Sequence, residues 1–175
     1  MDRFEAKLAV VHHTLDSIGL TSTQSGPEVA HVMTPAPLAV PDDMTVLELA
    51  RLIHARGARH ILVTDTGGRL QGVISDRDVI RCFGPSEFPD ESLLKQITTG
   101  QIMSTDIISI GPQEPLQRAV SMIVRHGISC LPVMMPDGTL VGIITNTDLH
   151  MVLDYLLSRT WPIEPSKAPV EVDAI

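Results

Sequence analysis

Apolar and polar positions along this chain form a pattern that occurs twice. Residues 127–148 contain an apolar run, a turn at residues 136–138, a second apolar run and the start of a helix. Residues 57–78 show the same order without a gap, at an offset of 70 positions from Gly57 to Gly127. The pattern therefore predicts two copies of one unit, each with two strands followed by a helix.

A helix precedes each unit, and each of these helices is preceded by an extended segment of chain, which we call the opening of the repeat. The openings run to Val40 and Ile110, and prolines at positions 35, 37 and 41 exclude a helix in the first of them. Gly57 and Gly127 are placed to end the two helices in a left-handed conformation. The apolar spacing predicts buried helix faces formed by Val46, Leu49, Ala50, Ile53, Leu116, Ala119, Val120 and Ile123.

Residues 2 to about 20 carry a further apolar stripe at helical spacing, formed by Phe4, Leu8, Val11, Leu15 and Ile18. This stripe predicts a helix that docks on the core of its own chain, or one that contributes to a dimer interface. The predicted organisation is an N-terminal helix and linker (1–28), a first repeat (29–84), a linker (85–98), a second repeat (99–160) and a proline-containing tail (161–175) that we expect to be disordered.

Composition narrows the classes of protein that the chain can represent. Apolar residues make up 43% of the sequence but only 3% are aromatic, so the core is expected to be aliphatic. The net charge of −8 argues against a general surface for nucleic acid or anionic membrane. Two distant cysteines, an acidic start and the lack of an 18-residue apolar run lead us to expect a cytoplasmic protein without a membrane span.

Each repeat ends its second strand with a hydroxyl residue followed three positions later by an aspartate. These pairs are Ser75 with Asp78, and Thr145 with Asp148. The first interpretation is a capping box, in which both side chains satisfy backbone groups at a helix start. The second is a ligand site, because a carboxylate accepts hydrogen bonds from ribose hydroxyls and a helix N-terminus favours phosphate. The spacing alone leaves both interpretations open.

The complete order of elements resembles the cystathionine-β-synthase (CBS) domain, and two such units in tandem resemble a Bateman module. The resemblance covers roughly residues 29–157 and includes the openings at Met33 and Met103 and both aspartate endings. It implies a mixed fold of helices and sheets, α/β (α+β). In this fold two repeats are related by a pseudo-twofold axis, and each forms a small sheet with two helices. It also implies that the sheets pack face to face and that modules pair as a homodimer into a flat disc.

Members of this family bind adenosine-containing ligands in clefts between the repeats. By resemblance, Asp78 and Asp148 would bind ribose, and Ser75 and Thr145 would donate to ribose or phosphate. The adenine would lie against the openings, at Thr34, Ala36, Leu38, Ser104, Asp106 and Ile108. The starts of the inner strands would add Arg59, His60, Cys130, Leu131 and Pro132 to the ligand site.

The two repeats differ in charge at the start of the inner strand. Arg59 and His60 in the first repeat correspond to Ser129 and Cys130 in the second. We expect Arg59, with Arg77 beside Asp78, to form a local positive spot that binds a phosphate-bearing ligand. The alternative is that both arginines are solvated surface residues.

These features favour a regulatory module that binds an adenine nucleotide (AMP, ADP or ATP), or a related ligand such as S-adenosylmethionine or NAD. Its signal would pass to a regulated protein partner. The runner-up is a structural dimerisation or adaptor protein whose clefts are closed by bulky side chains such as Leu38 and His60. An enzyme is the third option, because the sequence shows no activated nucleophile, metal cluster or acid and base pair, and no required cofactor is expected.

Overall fold

Two three-stranded sheets form the centre of the molecule in the computed structural model, which describes residues 3–19, 26–84 and 90–161. The strands are β1 (Thr34–Pro35), β2 (Ala39–Pro41), β3 (His60–Thr64), β4 (Leu70–Ser75), β5 (Cys130–Met134) and β6 (Leu140–Thr145). The helices are α1 (Arg3–Ile18), α2 (Val46–Arg56), α3 (Asp76–Arg81), α4 (Glu91–Leu94), α5 (Thr99–Ile102), α6 (Leu116–His126) and α7 (Asn146–Thr160), and a short 3-10 turn spans Val29–His31. This is the expected α+β architecture. The tail predicted to be disordered lies outside the described residues from position 162 onward.

The repeats exchange their openings across the pseudo-twofold axis. In the first repeat, β2 pairs in parallel with β3, and β3 pairs antiparallel with β4. β1, although it belongs to the first repeat in sequence, pairs with β6 of the second repeat. In return, Ser104 of the second repeat forms an antiparallel bridge with Val73 in β4. The first part of each opening, at Thr34 and Ser104, therefore lies against the sheet of the other repeat, while its end, at Val40 and Ile110, pairs with the sheet of its own repeat.

Glycines in the outer strands admit this exchange. A Cβ added at Gly142 would lie 2.5 Å from Sδ of Met33 and 3.0 Å from the carbonyl oxygen of Thr34. A Cβ at Gly72 would lie 2.6 Å from Sδ of Met103. Because a side chain at either position would occupy the space of the opposing methionine, glycine is needed for the close approach of the two segments.

The helices before the inner strands end as the sequence predicts. Gly57 and Gly127 are left-handed, with φ of 59° and 63°. The buried faces are confirmed at Val46, Leu49, Leu116, Ala119 and Ile123, while Ala50 and Ile53 are partly buried against the same core. The prediction for Val120 is wrong, because this side chain is 41% exposed. Val120 lies about 100° around α6 from the buried Ala119, beside a groove facing α7.

Helix α1 docks on the core of the second repeat. Val11 and Leu15 are buried in the cluster that includes Val133 of β5. The Tyr155 hydroxyl donates to Oδ1 of Asp16 at 2.8 Å and so ties α7 to α1. The interpretation of α1 as a helix docked on its own chain is therefore confirmed for this part of its stripe.

The cores are aliphatic, as expected from the composition. One cluster joins α1, α6, α7 and the second sheet, and another joins α2, α3 and the first sheet. A smaller cluster around Leu62, Cys130 and Ile143 connects the two sheets. Within the described ranges, none of the helices is long and apolar enough to cross a membrane.

Candidate functional site

Two clefts form where the end of one repeat meets the opening of the other. The Asp78 cleft is a cavity of about 380 Å³. Its lining includes Ser75, Arg77, Asp78, Ser104, Asp106, Ile108, Cys130 and Pro132. The Asp148 cleft is a cavity of about 430 Å³. Its lining includes Lys7, Thr34, Ala36, Leu38, Arg56, Arg59, Thr145 and Asp148.

The exchange of openings explains this grouping. The carboxylate of the first repeat lies with the opening of the second, and the carboxylate of the second lies with the opening of the first. Fifteen of the sixteen predicted site residues line one cleft or the other, and His60 lines both. The sequence predicts one positive spot containing both Arg59 and Arg77. The structure places them in different clefts: Arg59 lines the Asp148 cleft and Arg77 lines the Asp78 cleft.

Leu131 is the remaining predicted residue, and it lines neither cleft. Its side chain is fully buried in the core formed with α1, α6 and α7. Side chains along a strand point to alternate faces, so Cys130 and Pro132 reach the Asp78 cleft while Leu131 points away from it. Leu131 is therefore a core residue and not part of the ligand site that the resemblance implies.

Asp78 is held at the start of α3 by contacts from Ser75. The Ser75 backbone N–H and hydroxyl donate to Oδ2 of Asp78 at 2.8 and 2.6 Å. The other oxygen, Oδ1, accepts from Nη1 of Arg81 at 2.9 Å. The Asp78 side chain is 26% exposed and that of Arg81 is 77% exposed, so the partner of Asp78 lies largely in water.

Asp148 makes the same helix-start contacts but has a different second partner. The Thr145 N–H and hydroxyl donate to Oδ2 at 2.7 and 2.9 Å. Oδ1 is paired with the ammonium of Lys7, which also donates to the Thr34 hydroxyl. The Asp148 side chain is 2% exposed. The capping interpretation therefore holds at both aspartates, and in each case the second carboxylate oxygen is paired with a cationic side chain.

Arg59 lines the Asp148 cleft, and its neighbour His60 lies in the wall that the two clefts share. Nη2 of Arg59 donates to the Thr147 hydroxyl at 2.6 Å, which links the residue before β3 to the first turn of α7. Nε2 of His60 lies 2.7 Å from Oγ of Ser129. Burial lowers the pKa of His60, and the neighbouring Arg59 cation lowers the pKa further. A neutral imidazole at this position therefore contributes polarity without a fixed charge.

Ala36 is the one residue other than glycine with a positive φ in the described part of the chain, at 46°. It lies in the opening that borders the Asp148 cleft. A left-handed alanine is strained and persists only where surrounding contacts hold it. Here the backbone turns after β1, so the opening follows the cleft wall before it enters β2.

Sequence reasoning missed Lys7 as a cleft residue. Lys7 and Asp148 are 141 positions apart, and no motif connects them. The apolar stripe of α1 indicated that the helix docks on a core, but it did not indicate which polar side chain would enter a cleft. Only the packing of α1 against α7 brings the two groups together.

The clefts have the size and polarity of small-molecule sites. Their volumes fall in the range of roughly 300–1,000 Å³ that is typical of ligand pockets. Burial raises the pKa of the Cys130 thiol to about 11, so this side chain acts as a small neutral wall residue. Among the described residues, no group of three His, Cys, Asp or Glu side chains is placed to hold a metal ion.

Solved structures of other proteins share this fold. The solved structure of AcuB from Vibrio cholerae, named for acetoin utilization, is 29% identical, with a TM-score of 0.65 over 80% of this chain and 99% of that one. The CBS domain pair of protein MJ0100, solved with 5-methylthioadenosine and S-adenosylmethionine, is 20% identical, with a TM-score of 0.64 over 73% and 96%. The cytosolic domain of the Mg²⁺ channel MgtE, solved with ATP, is 28% identical, with a TM-score of 0.58 over 71% and 48%.

Curated relatives are longer proteins. A homoserine O-acetyltransferase from Methanohalophilus mahii is 30% identical over 125 residues, which is 71% of this chain and 24% of the relative. The chain spans about a quarter of the length of this and most other curated relatives that it matches, so their activities as whole proteins are not transferred to it. The family model for the CBS domain matches residues 29–84 and 99–155, which together form more than half of the sequence. The chain therefore belongs to the CBS domain family and carries two CBS repeats.

Proposed function

We propose that the chain is a non-catalytic regulatory module that binds an adenine nucleotide in the Asp148 cleft. The observation that carries this proposal is the charge of that cleft. Lys7, Arg56 and Arg59 line it, and Asp148 is the acidic side chain among its described lining residues. Arginine and lysine groups around one carboxylate suit a ligand that offers both ribose hydroxyls and phosphate oxygens.

The Asp78 cleft has the opposite balance. Arg77 is the cationic side chain in its described lining, which also contains Asp78 and Asp106. A phosphate group would meet two carboxylates there and only one guanidinium. This cleft is better suited to a neutral or cationic adenosine derivative, and ligands of that kind were bound in the MJ0100 domain pair.

Members of the family provide independent support for an adenosine ligand. The MgtE domain, at 28% identity, was solved with ATP, and the MJ0100 pair was solved with two adenosine compounds. In this chain each cleft is built from both repeats, so a ligand would bridge them. Binding would then favour the arrangement of repeats with the higher affinity, and a protein partner could read that change.

Calorimetry with AMP and ATP tests the proposal. Arg59→Ala is expected to weaken nucleotide binding by about tenfold or more, because a charge-assisted contact is lost. Arg69→Ala is the matched control, since Arg69 lies on the exposed turn between β3 and β4. Arg77→Ala should have the smaller effect on nucleotide affinity. If the wild-type protein binds no adenosine compound at millimolar concentration, the proposal is contradicted.

The alternative function is a dimerisation or adaptor protein with closed clefts. Lys7 covers Asp148 and pairs with its carboxylate. This pairing favours the alternative, because the carboxylate already has a partner within the chain. The same titrations separate the two functions. An adaptor would show no binding and the same oligomeric state with and without nucleotide, whereas a sensor would bind and respond.

A further inference from the structure

Lys7 comes from outside the two repeats and enters the Asp148 cleft from α1. Its ammonium contacts both Oδ1 of Asp148 and the hydroxyl of Thr34. Helix α1 is anchored beyond Lys7 by Val11 and Leu15, which are 2% and 0% exposed. The helix therefore holds the lysine at the cleft, and only the side chain itself needs to move for a ligand to enter.

Asp148 can bind a ribose hydroxyl only at the oxygen that Lys7 uses. Oδ2 already accepts two hydrogen bonds from Thr145. The side chains of Asp148 and Lys7 are 2% and 25% exposed, so the ammonium covers the carboxylate and is itself mostly shielded from water. A ligand that takes Oδ1 must therefore displace a cation that water hydrates only in part, and this is costly unless the cation gains another partner.

A phosphate group on the same ligand supplies that partner. Its oxygens form strong, charge-assisted hydrogen bonds with an ammonium group, and Arg59 lines the same cavity. A nucleoside without phosphate has no anionic group to offer. The cost of moving Lys7 is thus recovered by a phosphorylated ligand and not by an unphosphorylated one.

We infer that Lys7 is a specificity-determining residue that makes the Asp148 cleft select phosphorylated over unphosphorylated adenosine ligands. This inference rests on the proposed function, because it assigns the ligand class of the same cleft. The selection is set by displacement of an internal cation and not only by attraction to the phosphate. It follows that removing the charge of Lys7 weakens AMP binding and strengthens adenosine binding.

The Asp78 cleft is an internal comparison. There the second carboxylate oxygen is paired with Arg81, which lies three residues along the same helix and is 77% exposed. Arg81 can move into water at little cost, since exposed ion pairs contribute little. The Asp78 cleft is therefore expected to lack this mechanism of selection.

The experiment measures AMP and adenosine affinity by calorimetry in an Asp78→Ala background, so that the heat reports the Asp148 cleft. In Lys7→Met, the ratio of the adenosine to the AMP dissociation constant should fall by about tenfold or more. Lys7→Gln is a second uncharged variant that can still donate to Asp148, and it should also lower the ratio if Lys7→Met folds poorly. Lys7→Arg retains a cation and should retain most of the preference. Lys95→Met is the control, because Lys95 is exposed after α4.

The outcomes separate the inference from the proposed function. An unchanged ratio in both uncharged variants, or a ratio that falls only because AMP binding weakens while adenosine binding does not strengthen, overturns the displacement role of Lys7 while nucleotide binding stands. The absence of binding by either ligand in the Asp78→Ala background, whether or not the wild-type protein binds, overturns the proposed function of the Asp148 cleft, and the inference with it.

Discussion

His60 lies in the wall that the two clefts share. Its ring contacts Ser129 across the boundary between the repeats, at 2.7 Å between Nε2 and Oγ. The charged groups that act on it are Arg59 and Arg77, which disfavour a proton, and Asp76 and Asp148, which favour one. Burial is the largest effect and also disfavours the proton, so the folded protein holds His60 neutral.

The lowered pKa of His60 predicts a dependence of stability on pH. The unfolded chain takes up a proton near the ordinary histidine pKa of 6.5, but the folded chain does so only at lower pH. The unfolded state therefore binds more protons in this window, and the free energy of unfolding should decrease as the pH falls below about 6.5. Above that value His60 should have no effect on the slope.

Urea unfolding at about pH 7.5 and about pH 5.5 measures this difference. His60→Gln should reduce the loss of stability between the two values, because the substituted side chain does not titrate. His54→Gln is the control, since His54 is exposed on α2. Equal losses in wild type and His60→Gln would show that other groups account for the pH dependence.

The sequence identifies cleft residues whose contacts are made by neighbours a few positions away. Ser75 and Asp78 are three positions apart, and a helix start fixes their geometry whatever the rest of the fold does. Lys7 was missed because its role depends on a contact across 141 positions. Leu131 was misassigned because a resemblance by position does not state which face of a strand is turned to the cleft.

Helix α1 shows how an element outside the repeats becomes part of one of them. Its stripe predicted a docked helix, and Val11 and Leu15 do enter the core of the second repeat. The apolar pattern does not predict that β1 pairs with the sheet of the second repeat, or that the second opening pairs with the sheet of the first. An extended segment of two or three residues can pair with either sheet, and the choice is decided by packing such as that of Met33 on Gly142.

The docking of α1 on the core predicts how substitutions in this helix change stability. Leu15 is 0% exposed, so Leu15→Ala should lower the free energy of unfolding by about 2–5 kcal/mol through lost burial and a residual cavity. Val10, on the same helix, is 63% exposed, and Val10→Ala should change stability by no more than about 0.5 kcal/mol. Chemical denaturation measures both. A small effect of Leu15→Ala would mean that α1 is not held on the core as the structure describes.

A groove between α6 and α7 exposes apolar side chains on the surface of the protein. The cavity is about 640 Å³. Val120, Val124, Leu153 and Leu156 line it and are 41%, 74%, 49% and 43% exposed. Contiguous apolar surface of this kind is typical of an interaction site. The exposed groove also explains why the prediction of a buried Val120 is wrong. Apolar spacing along a helix does not distinguish a face that packs on the core from a face that binds a partner.

The family resemblance implies a homodimer, and this groove is the surface that we expect a second copy to cover. A carboxylate introduced there would be buried without a partner in the dimer but solvated in the monomer, so Val124→Asp and Leu153→Asp should shift the equilibrium toward monomer. Sedimentation velocity measures the shift. Val10→Asp adds the same charge on the exposed face of α1 and should leave the assembly unchanged. If both groove variants sediment as the wild type does, the groove does not form the interface between copies.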